Sequence, residues 1–409
     1  MVGRDFEMKN LSHTRLFGAF LANHAIKDSV CFLHGGEGCK TKTQYHLVNH
    51  DWFEESHNRR IWTDIKDVDI IEGSTDRLEG VAGTWLEKRK PAIAFVLSVT
   101  FIEVAGEDIA GSVSKLDKTH PCPVRHIPCS GFSGDMFDGY LSVIKHLCRN
   151  VDWETEPEAG TVNIIGHFFD RYEEDRFEDV REMKRLLADI GLTTKAVMLE
   201  GSSFADLMEA RQAEYNIVLP TAHSFSAELA DLSGRPSILA DLPLGVFGTG
   251  QFLATVAKAT GRWNQPTRDY LNDRQKQTVR SLAPMIEKLN TGEESWTAAV
   301  FADVPLAAAI FAYLRDIGIE PLLVGLLDRG KNSKERFEAA VGRLDRAGDR
   351  PDHVLLVDPT RSELVNEYAG MTKAPDLLFG STVEIQNCKS FGSNPVEIGF
   401  PSYSRHGLF

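Results

Sequence analysis

Short apolar runs alternate with amphipathic stretches along almost the whole chain, and this alternation restricts the possible folds more than any other feature. Eight runs are rich in β-branched or other apolar residues and have the length of buried strands: "SVCFL" (29–33), "AIAFVLS" (92–98), "VNIIG" (162–166), "NIVLP" (216–220), "AAVFA" (298–302), "PLLVGLL" (321–327), "HVLLV" (353–357) and "DLLFG" (376–380). Uninterrupted apolar runs are typical of parallel strands, which are buried on both faces. Stretches with helical periodicity lie between them, as in 177–190, 274–289 and 306–317. The pattern predicts an α/β fold of doubly wound parallel sheets, with ligands bound at the carboxyl ends of the strands.

The length of the chain and two changes in composition indicate three domains. A chain of 409 residues is too long for one ordinary hydrophobic core. The acidic, turn-rich segment 151–160 precedes a new strand, and segment 261–275 leads into a long helix. We therefore predict three Rossmann-like α/β domains with parallel sheets, in residues 1–150, 151–265 and 266–409.

Charge and hydropathy exclude several classes of partner. The formal net charge is −14 and basic residues are scattered along the chain, so we expect no nucleic-acid partner. No run approaches the ~20 apolar residues that span a bilayer, and the N-terminus has no signal-peptide core. These features predict a cytoplasmic protein with no membrane partner.

The cysteines are too sparse for a disulfide framework in a chain of this length. A cysteine with a special role is therefore expected to be a metal ligand or a reactive thiol. The six are Cys31, Cys39, Cys122, Cys129, Cys148 and Cys388.

The segment "HGGEGCKTKT" (34–43) follows the first predicted strand and could be a phosphate-binding loop or a loop that presents a thiolate. A Walker loop requires the pattern GxxxxGK[ST], in which glycines let backbone N–H groups close around phosphate oxygens. Lys40 and Thr41 are present, but His34 and Cys39 occupy the two glycine positions. The segment therefore does not match a nucleotide-binding loop.

The same segment is better suited to presenting Cys39. Gly35, Gly36 and Gly38 permit positive φ and close approach of the backbone, and a helix that begins near Cys39 would favour its thiolate. A buried structural cysteine is the alternative. Further glycine-bearing loops of the first unit are expected at the same edge of the sheet, and they are 13–20, 98–111 and 127–140.

The order of four motifs in these loops resembles the first domain of the nitrogenase component 1 chains, and their β chains in particular. The motifs are "LFGAFLA", "HGGEGCK", "VTFIEVAGEDIAG" and "IPCSGFSGDMFDGY". Segments 239–257 and 374–409 are also similar to that family, so the resemblance covers nearly the whole chain. The superfamily includes a cofactor-assembly scaffold, tetrapyrrole reductases and a methylthio-alkane reductase.

The resemblance implies an iron–sulfur cluster at the interface of two homologous, unequal chains. The β chains carry three cysteine ligands in these loops, and the corresponding positions here are Thr14, Cys39 and Thr100, so one thiol of three is kept. One thiol from this chain implies a [4Fe–4S] or larger cluster whose remaining thiolates come from the partner. Cys129, in the serine/glycine loop, is a further candidate ligand. His34 would either hydrogen-bond a sulfur of the cluster or cap the strand end.

Three acidic residues lie where relatives begin a helix. Glu103, Glu107 and Asp108 are expected to cap that helix and to place negative charge at its N-terminus, and proton delivery is the alternative.

The resemblance further implies a β-type subunit of a nitrogenase-like oxidoreductase. It would pair with an α-type subunit in an α2β2 heterotetramer, accept electrons from an ATP-dependent iron–sulfur reductase component, and pass them through the shared cluster to a catalytic cofactor in the partner. Reductive C–S cleavage of methylthio-alkanes is the expected reaction, and reduction of a tetrapyrrole is the alternative within this class. The alternative from another class is a subunit of an assembly scaffold for an iron–sulfur cofactor precursor. The third alternative is an α/β protein in which Cys39 is inert.

Overall fold

The fold was analysed in a computed structural model of the chain. The structure describes residues 14–47, 59–168, 176–289, 291, 295–328, 330, 332–346 and 352–399. The last part of the C-terminal segment that is similar to the nitrogenase chains, 400–409, lies outside the described residues. The described residues form three all-parallel sheets of four, four and five strands, which confirms the predicted α/β fold.

The first sheet is built around two fully buried strands. Its strands are β1 (Ser29–His34), β2 (Arg60–Trp62), β3 (Ile93–Val99) and β4 (Val124–Cys129), in the order β2-β1-β3-β4. Every residue of β1 and β3 is buried because helices cover both faces of the sheet. The chain moves outward from β1 to β2 and then returns to β3, so its winding direction reverses between β1 and β3.

The helices of the first sheet include one very close pair. The helices are α1 (Arg15–His24), α2 (Glu37–Leu47), α3 (Asp67–Glu72), α4 (Thr75–Arg89), α5 (Thr100–Ala105), α6 (Ile109–Thr119) and α7 (Met136–Asn150). A Cβ atom on Gly18 of α1 would lie 1.7 Å from the carbonyl oxygen of Met136, and one on Gly139 of α7 would lie 1.9 Å from that of Arg15. Both glycines are therefore required for the contact between α1 and α7.

The second sheet repeats the same winding. Its strands are β5 (Glu158–Ile165), β6 (Thr193–Val197), β7 (Ala213–Val218) and β8 (Ser237–Leu239), in the order β6-β5-β7-β8. The helices are α8 (Arg176–Asp189), α9 (Phe204–Met208), α10 (Ser226–Ser233) and α11 (Gly245–Ala259), and 3₁₀ turns cover 209–212 and 220–225.

The third sheet has five strands and follows a long helix, α12 (Gln265–Leu289). The strands are β9 (Thr297–Ala302), β10 (Glu320–Leu326), β11 (Val354–Val357), β12 (Leu377–Gly380) and β13 (Asn394–Glu397), in the order β11-β10-β9-β12-β13. The other helices are α13 (Val304–Asp316), α14 (Ser333–Leu344), α15 (Arg361–Gly370) and α16 (Thr382–Cys388), and a 3₁₀ turn covers 389–391. Ala298 and Val300 of β9 pack into one hydrophobic cluster, and Ala299 and Phe301 pack into another, so each face of this sheet has its own core.

The core of the first sheet continues into the second unit. Ile165, Phe168 and Phe225 belong to the same hydrophobic cluster as Tyr140 of α7, and the rings of Tyr140 and Phe168 have centroids 4.5 Å apart. Each of the ranges 1–150, 151–265 and 266–409 contains one sheet, while the boundaries themselves stay predictions. Among the helices of the described ranges, none combines the length and the apolar character that crossing a bilayer requires.

The eight predicted strands are all present, but five observed strands were not predicted. The missed strands are β2, β4, β6, β8 and β13, and all of them lie at the edge of a sheet. An edge strand is less buried than a central one, so its sequence need not be an apolar run. In β4, for example, only three of six residues are buried.

Candidate functional site

Two of the predicted residues, Cys39 and Thr100, follow the neighbouring strands β1 and β3, between which the first sheet reverses its winding direction. β1 and β3 are neighbouring parallel strands, and His34 at the end of β1 is in register with Ser98. Cys39 follows β1 in the first turn of α2, and Thr100 follows β3 as the first residue of α5. Ligands of doubly wound folds bind in the crevice at such a point, outside the carboxyl ends of the strands.

A cavity of about 230 Å³ lies at this point and brings together four of the five predicted cluster-binding positions. These four are Thr14, Cys39, Thr100 and Cys129. The rest of the described lining is uncharged, and it consists of Leu16, Phe17, Gly38, Thr43, Val99, Phe101 and Gly131. The structure thus gathers the loops as the sequence predicts, while the ligand role of each side chain stays a prediction.

Cys39 is half-buried, and its backbone is fixed by hydrogen bonds at the start of α2. Its N–H donates to the carbonyl oxygen of Gly36 (3.2 Å), and its carbonyl oxygen accepts from the hydroxyl of Thr43 (2.9 Å). The first turn of a helix carries partial positive charge, which favours a thiolate at this position.

The glycines of this loop use one of the two freedoms that the sequence analysis gave them, the close approach of the backbone. None of Gly35, Gly36 and Gly38 has a positive φ. A Cβ atom on Gly35 would lie 2.8 Å from a methyl carbon of Val99, whereas one on Gly38 would have no neighbour within 4 Å. Gly35 therefore permits close packing of the strand end against β3, and Gly38 leaves open space beside Cys39.

Thr14 and Thr100 hold backbone segments of the cavity wall. The main chain of Thr14 forms an isolated antiparallel bridge with Asp135, which precedes α7. The hydroxyl oxygen of Thr100 accepts a hydrogen bond from the N–H of Gly131 (2.8 Å). The thiolate is the form in which cysteine binds metals, and a threonine hydroxyl offers no equivalent ligand at neutral pH. Cys39 is therefore the best-placed metal ligand in this lining.

Cys129 lies at the buried base of the cavity. The residue is 1% exposed, and its thiol donates a hydrogen bond to the carbonyl oxygen of Ile127 (3.2 Å). Burial raises the pKa of the Cys129 thiol far above its ordinary value, although the nearby Arg15 guanidinium lowers it in part. In the metal-free chain this environment favours the protonated thiol, and the ligand role of Cys129 stays a prediction.

His34 is fully buried, and both of its ring nitrogens have partners in this domain. Nδ1 lies 3.1 Å from the hydroxyl oxygen of Thr63, and Nε2 lies 2.9 Å from that of Ser74. The Ser74 hydroxyl donates to a carboxylate oxygen of Glu107 (2.7 Å), so it accepts from the N–H at Nε2. Burial lowers the pKa of His34 to about 4, so the ring is neutral. These contacts agree with the strand-end alternative, and His34 is not among the described residues that line the cavity.

The acidic residues after β3 have structural roles. Asp108 caps α6 by accepting from the N–H of Gly111 (2.8 Å). Glu103 accepts a hydrogen bond from the Ser98 hydroxyl, whose oxygen lies 2.7 Å from Nε2 of His126. Capping is thus observed for Asp108, and Glu103 places negative charge in the first turn of α5, where it forms a partly buried polar group with Ser98 and His126.

Arg15, which the sequence analysis did not single out, lies in the sequence between Thr14 and Leu16, and both of these residues line the cavity. Its side chain reaches residues more than a hundred positions away in the sequence. Its place next to Thr14 was the only sequence feature that could have drawn attention to it.

The described residues alone do not form a complete metal site. No group of three or more His, Cys, Asp or Glu side chains among them is arranged to hold a metal ion. All six cysteines are described, and none is in a disulfide. Within the described ranges, a metal ion at Cys39 would thus have one thiolate and no completed ligand set.

A second cavity, of about 470 Å³, lies where the three sheets meet. Its described lining contains several carboxylates and no cysteine. Asp328 accepts from the N–H of Val304 (2.8 Å), and burial together with the charge of Asp303 raises the pKa of Asp328 to about 7. Arg343 and Asp241 form a bidentate ion pair at its edge, with distances of 2.9 and 2.8 Å.

Comparison with known proteins assigns the family. The model of the family described as "Nitrogenase component 1 type Oxidoreductase" matches residues 14–409. The chain belongs to this family. The resemblance stated from the motifs is thereby confirmed, and the chain is a nitrogenase-like oxidoreductase subunit.

Individual relatives are distant but match along almost the full chain. The nitrogenase molybdenum-iron protein β chain of Methanococcus maripaludis strain S2 is 22% identical over 95% of this chain and 87% of its own length. The nitrogenase iron-iron protein β chain of Rhodobacter capsulatus is 24% identical, over 96% and 87%. The solved structure "Nitrogenase Cp1 at pH 5" has a TM-score of 0.77 at 17% identity and covers 97% of this chain and 84% of its own, which supports the fold.

Proposed function

We propose that this nitrogenase-like subunit holds one side of an iron–sulfur cluster at an interface with a homologous α-type subunit. An ATP-dependent iron–sulfur reductase component supplies the electrons, and the catalytic cofactor lies in the α-type subunit. Two copies of each chain form the α2β2 heterotetramer. The β chains named above support the assignment of this chain as the β-type partner.

The convergence of Cys39 with Thr14 and Thr100 on one cavity carries this proposal. The residues present fit one side of a shared cluster, because they offer one half-buried thiol at a helix start, uncharged walls, and open space beside Cys39. Among the described residues, no group of three or more possible ligands completes a site around Cys39. A [4Fe–4S] cluster with three thiolates from the partner satisfies the usual count of four ligands.

Exposed apolar side chains that follow the carboxyl ends of strands in the first sheet support a partner at this edge. Ile71, Val104 and Phe132 are 85%, 72% and 86% exposed, respectively. They lie on α3, on α5 and in the loop after β4, which all follow carboxyl ends of strands in the first sheet. Large apolar side chains exposed together at one surface mark an interaction site.

The residues of this chain have distinct tasks in the proposed complex. Cys39 binds iron, Thr100 holds the loop at Gly131 against the site, and the apolar walls exclude water. When bound, the cluster supplies a site for one-electron transfer.

Reductive C–S cleavage of a methylthio-alkane is the reaction that we propose to test first, with a tetrapyrrole as the alternative substrate. The single thiol favours one second candidate, a subunit of an assembly scaffold for an iron–sulfur cofactor precursor. A purified complex that reduces a small substrate with its reductase component and ATP is an enzyme. A complex without turnover that transfers its cluster to an apo-enzyme is a scaffold.

Anaerobic co-purification with the α-type subunit tests the central claim. Iron content and low-temperature EPR spectra would be compared for the wild type, Cys39→Ala and a control, Cys122→Ala. Cys122 precedes β4 at the opposite end of the sheet, so its replacement removes a thiol away from the cavity. We expect Cys39→Ala to lose the cluster signal and its iron, and Cys122→Ala to keep both.

An unchanged spectrum and iron content in Cys39→Ala would refute the proposal. The iron content and EPR spectrum of Cys129→Ala, measured in parallel, show whether this chain supplies one cysteine ligand or two. From the buried, hydrogen-bonded thiol we expect it to keep its iron.

A further inference from the structure

Three side chains on β3, α5 and β4 form a polar group next to the cavity at Cys39. Ser98, which is fully buried near the end of β3, donates a hydrogen bond to a carboxylate oxygen of Glu103. Because the hydroxyl proton is used in this way, the Ser98 oxygen accepts from the N–H at Nε2 of His126, at 2.7 Å. Nε2 also lies 3.6 Å from the Glu103 carboxylate. The imidazole of His126 is thus held by one hydroxyl and one carboxylate.

The position of Glu103 places this group close to the cavity. Thr100 and Glu103 are three residues apart in α5, so their Cβ atoms lie about 5–6 Å from each other on the helix surface. Thr100 lines the cavity. Burial raises the pKa of the Cys129 thiol at the base of the cavity, and the charge of Glu103 adds to that rise. A charge on this group therefore acts on a group bound in the cavity.

His126 is the member of the group that can change its charge near neutral pH. Burial lowers the pKa of His126 below its ordinary value, and the charge and hydrogen bond of Glu103 oppose this shift. The His126 side chain is 16% exposed, so a proton can reach it from solvent. His126 is therefore neutral at pH 7 in the chain, and it can take up a proton when negative charge is added nearby.

The other titratable and charged groups around His126 do not change charge in this range. Burial lowers the pKa of His34 on β1 and of His146 on α7 to about 4, so both rings are neutral. Arg125 on β4 is paired with Asp117 on α6 at 2.8 Å. The remaining charges on the helices packed against β4 are Arg15 on α1, and Arg149 on α7 with its partner Glu228.

We infer that His126, held by Ser98 and Glu103, takes up a solvent proton when the cluster of the proposed function accepts an electron. This inference rests on the proposed function. The reductase component supplies the electron, and the proton adds to Nδ1 of His126 because Nε2 already carries one. The site gains one negative and one positive charge, so its net charge is unchanged. A protonated His126 favours the reduced state in turn, since the coupling between the two events is reciprocal.

Simple electrostatics gives the expected size of this coupling. Unit charges about 10 Å apart, at an effective dielectric constant of about 20, shift a pKa by about one unit. One pKa unit is a tenfold change in an equilibrium, which corresponds to 59 mV for one electron. At low pH the protonated imidazole stabilises the reduced state, and at high pH this stabilisation is absent. The reduction potential should therefore fall by about 59 mV as pH rises through the His126 titration.

Potentiometric titration of the complete complex at several pH values between about 5 and 8, followed by EPR, tests the inference. We expect the wild type to show this fall, and His126→Gln to keep one potential, close to the high-pH value of the wild type. Glu103→Gln should move the step to lower pH, because the carboxylate favours the protonated imidazole. His120→Gln is the matched control, since His120 lies between α6 and β4 at the opposite end of the sheet, and it should match the wild type.

Each variant can contradict the inference. A wild-type potential that is constant across the range refutes it, and so does a His126→Gln variant that keeps the step. The inference is also wrong if His120→Gln loses the step, because the effect would then not be specific to His126. If His126→Gln does not assemble, Glu103→Gln decides, and an unmoved step overturns the inference. A wild-type complex without a cluster overturns the proposed function and this inference with it, so the two failures are distinguishable.

Discussion

The close contact between α1 and α7 predicts that Gly139→Ala destabilises the wall of the cavity at Cys39. The new Cβ atom would lie 1.9 Å from the carbonyl oxygen of Arg15, and contacts under 3.0 Å are essentially never seen for real Cβ atoms. The carbonyl oxygen of Arg15 belongs to the backbone of α1 and cannot rotate away as a side chain could. The two helices must therefore separate by roughly 1 Å. Overpacking of this kind costs about 1–3 kcal/mol, and the rigid obstacle points to the upper end, about 3 kcal/mol.

Gly80→Ala is the matched control, since Gly80 lies in α4 and a Cβ atom there would have no neighbour within 4 Å. That change should stabilise α4 by roughly 0.5–1 kcal/mol, because alanine loses less backbone entropy than glycine in a helix. Two variants with the same chemical change should therefore move stability in opposite directions.

Hydrogen exchange of peptides from α1 and α7, read by mass spectrometry, measures the opening free energy of this helix pair. A loss of about 3 kcal/mol corresponds to roughly a hundredfold loss of protection. Wild-type protection of α1 and α7 in Gly139→Ala would refute the close approach. The same variant should bind less iron in the complex, because Thr14 precedes α1 and bridges Asp135 next to α7.

Two buried titratable groups predict opposite pH dependences. The pKa of His34 is about 4 in the folded chain and 6.5 ordinarily, so the unfolded chain takes up the proton first, and stability should fall by about 3 kcal/mol as pH falls through that window. Chemical denaturation across this window should show a weaker pH dependence for His34→Gln. The pKa of Asp328 is raised from 3.8 to about 7, so stability should fall by up to about 4 kcal/mol as pH rises between those values. Asp328→Asn keeps an acceptor for the N–H of Val304, and calorimetry should show it stabilised above pH 7 and little changed near pH 4.

Burial explains which strands the sequence could predict. The eight predicted strands include the interior strands of all three sheets, where helices on both faces require an unbroken apolar run. β6, with the sequence "TTKAV", and β2, with only three residues, lie at sheet edges. Their positions depend on the register with β5 and β1, which is a property of the assembled sheet. Local sequence patterns do not contain that information.

In the candidate site, too, the features that follow from local sequence could be predicted, and those that depend on packing between distant segments could not. Cys39, Thr100 and Cys129 each lie at or just after the end of a strand, so parallel pairing was enough to predict that their loops meet. The effect of Gly35 could not be predicted, since the need for a missing Cβ comes from Val99 on the neighbouring strand. The contacts of Arg15 with Ser133 and Ser142 depend likewise on the packing of α1 against α7.

The cavity has a consequence for the order in which the subunit is made. Its described lining comes from residues between Thr14 and Gly131, and the core beneath it is completed by side chains of the second unit such as Phe168 and Phe225. Chains fold from the N-terminus as they are synthesised, domain by domain. We therefore expect the proposed partner surface to be complete before the ribosome has made the five strands of the third sheet. Pairing with the proposed partner and completion of the C-terminal sheet would then be separate events in the biogenesis of this subunit.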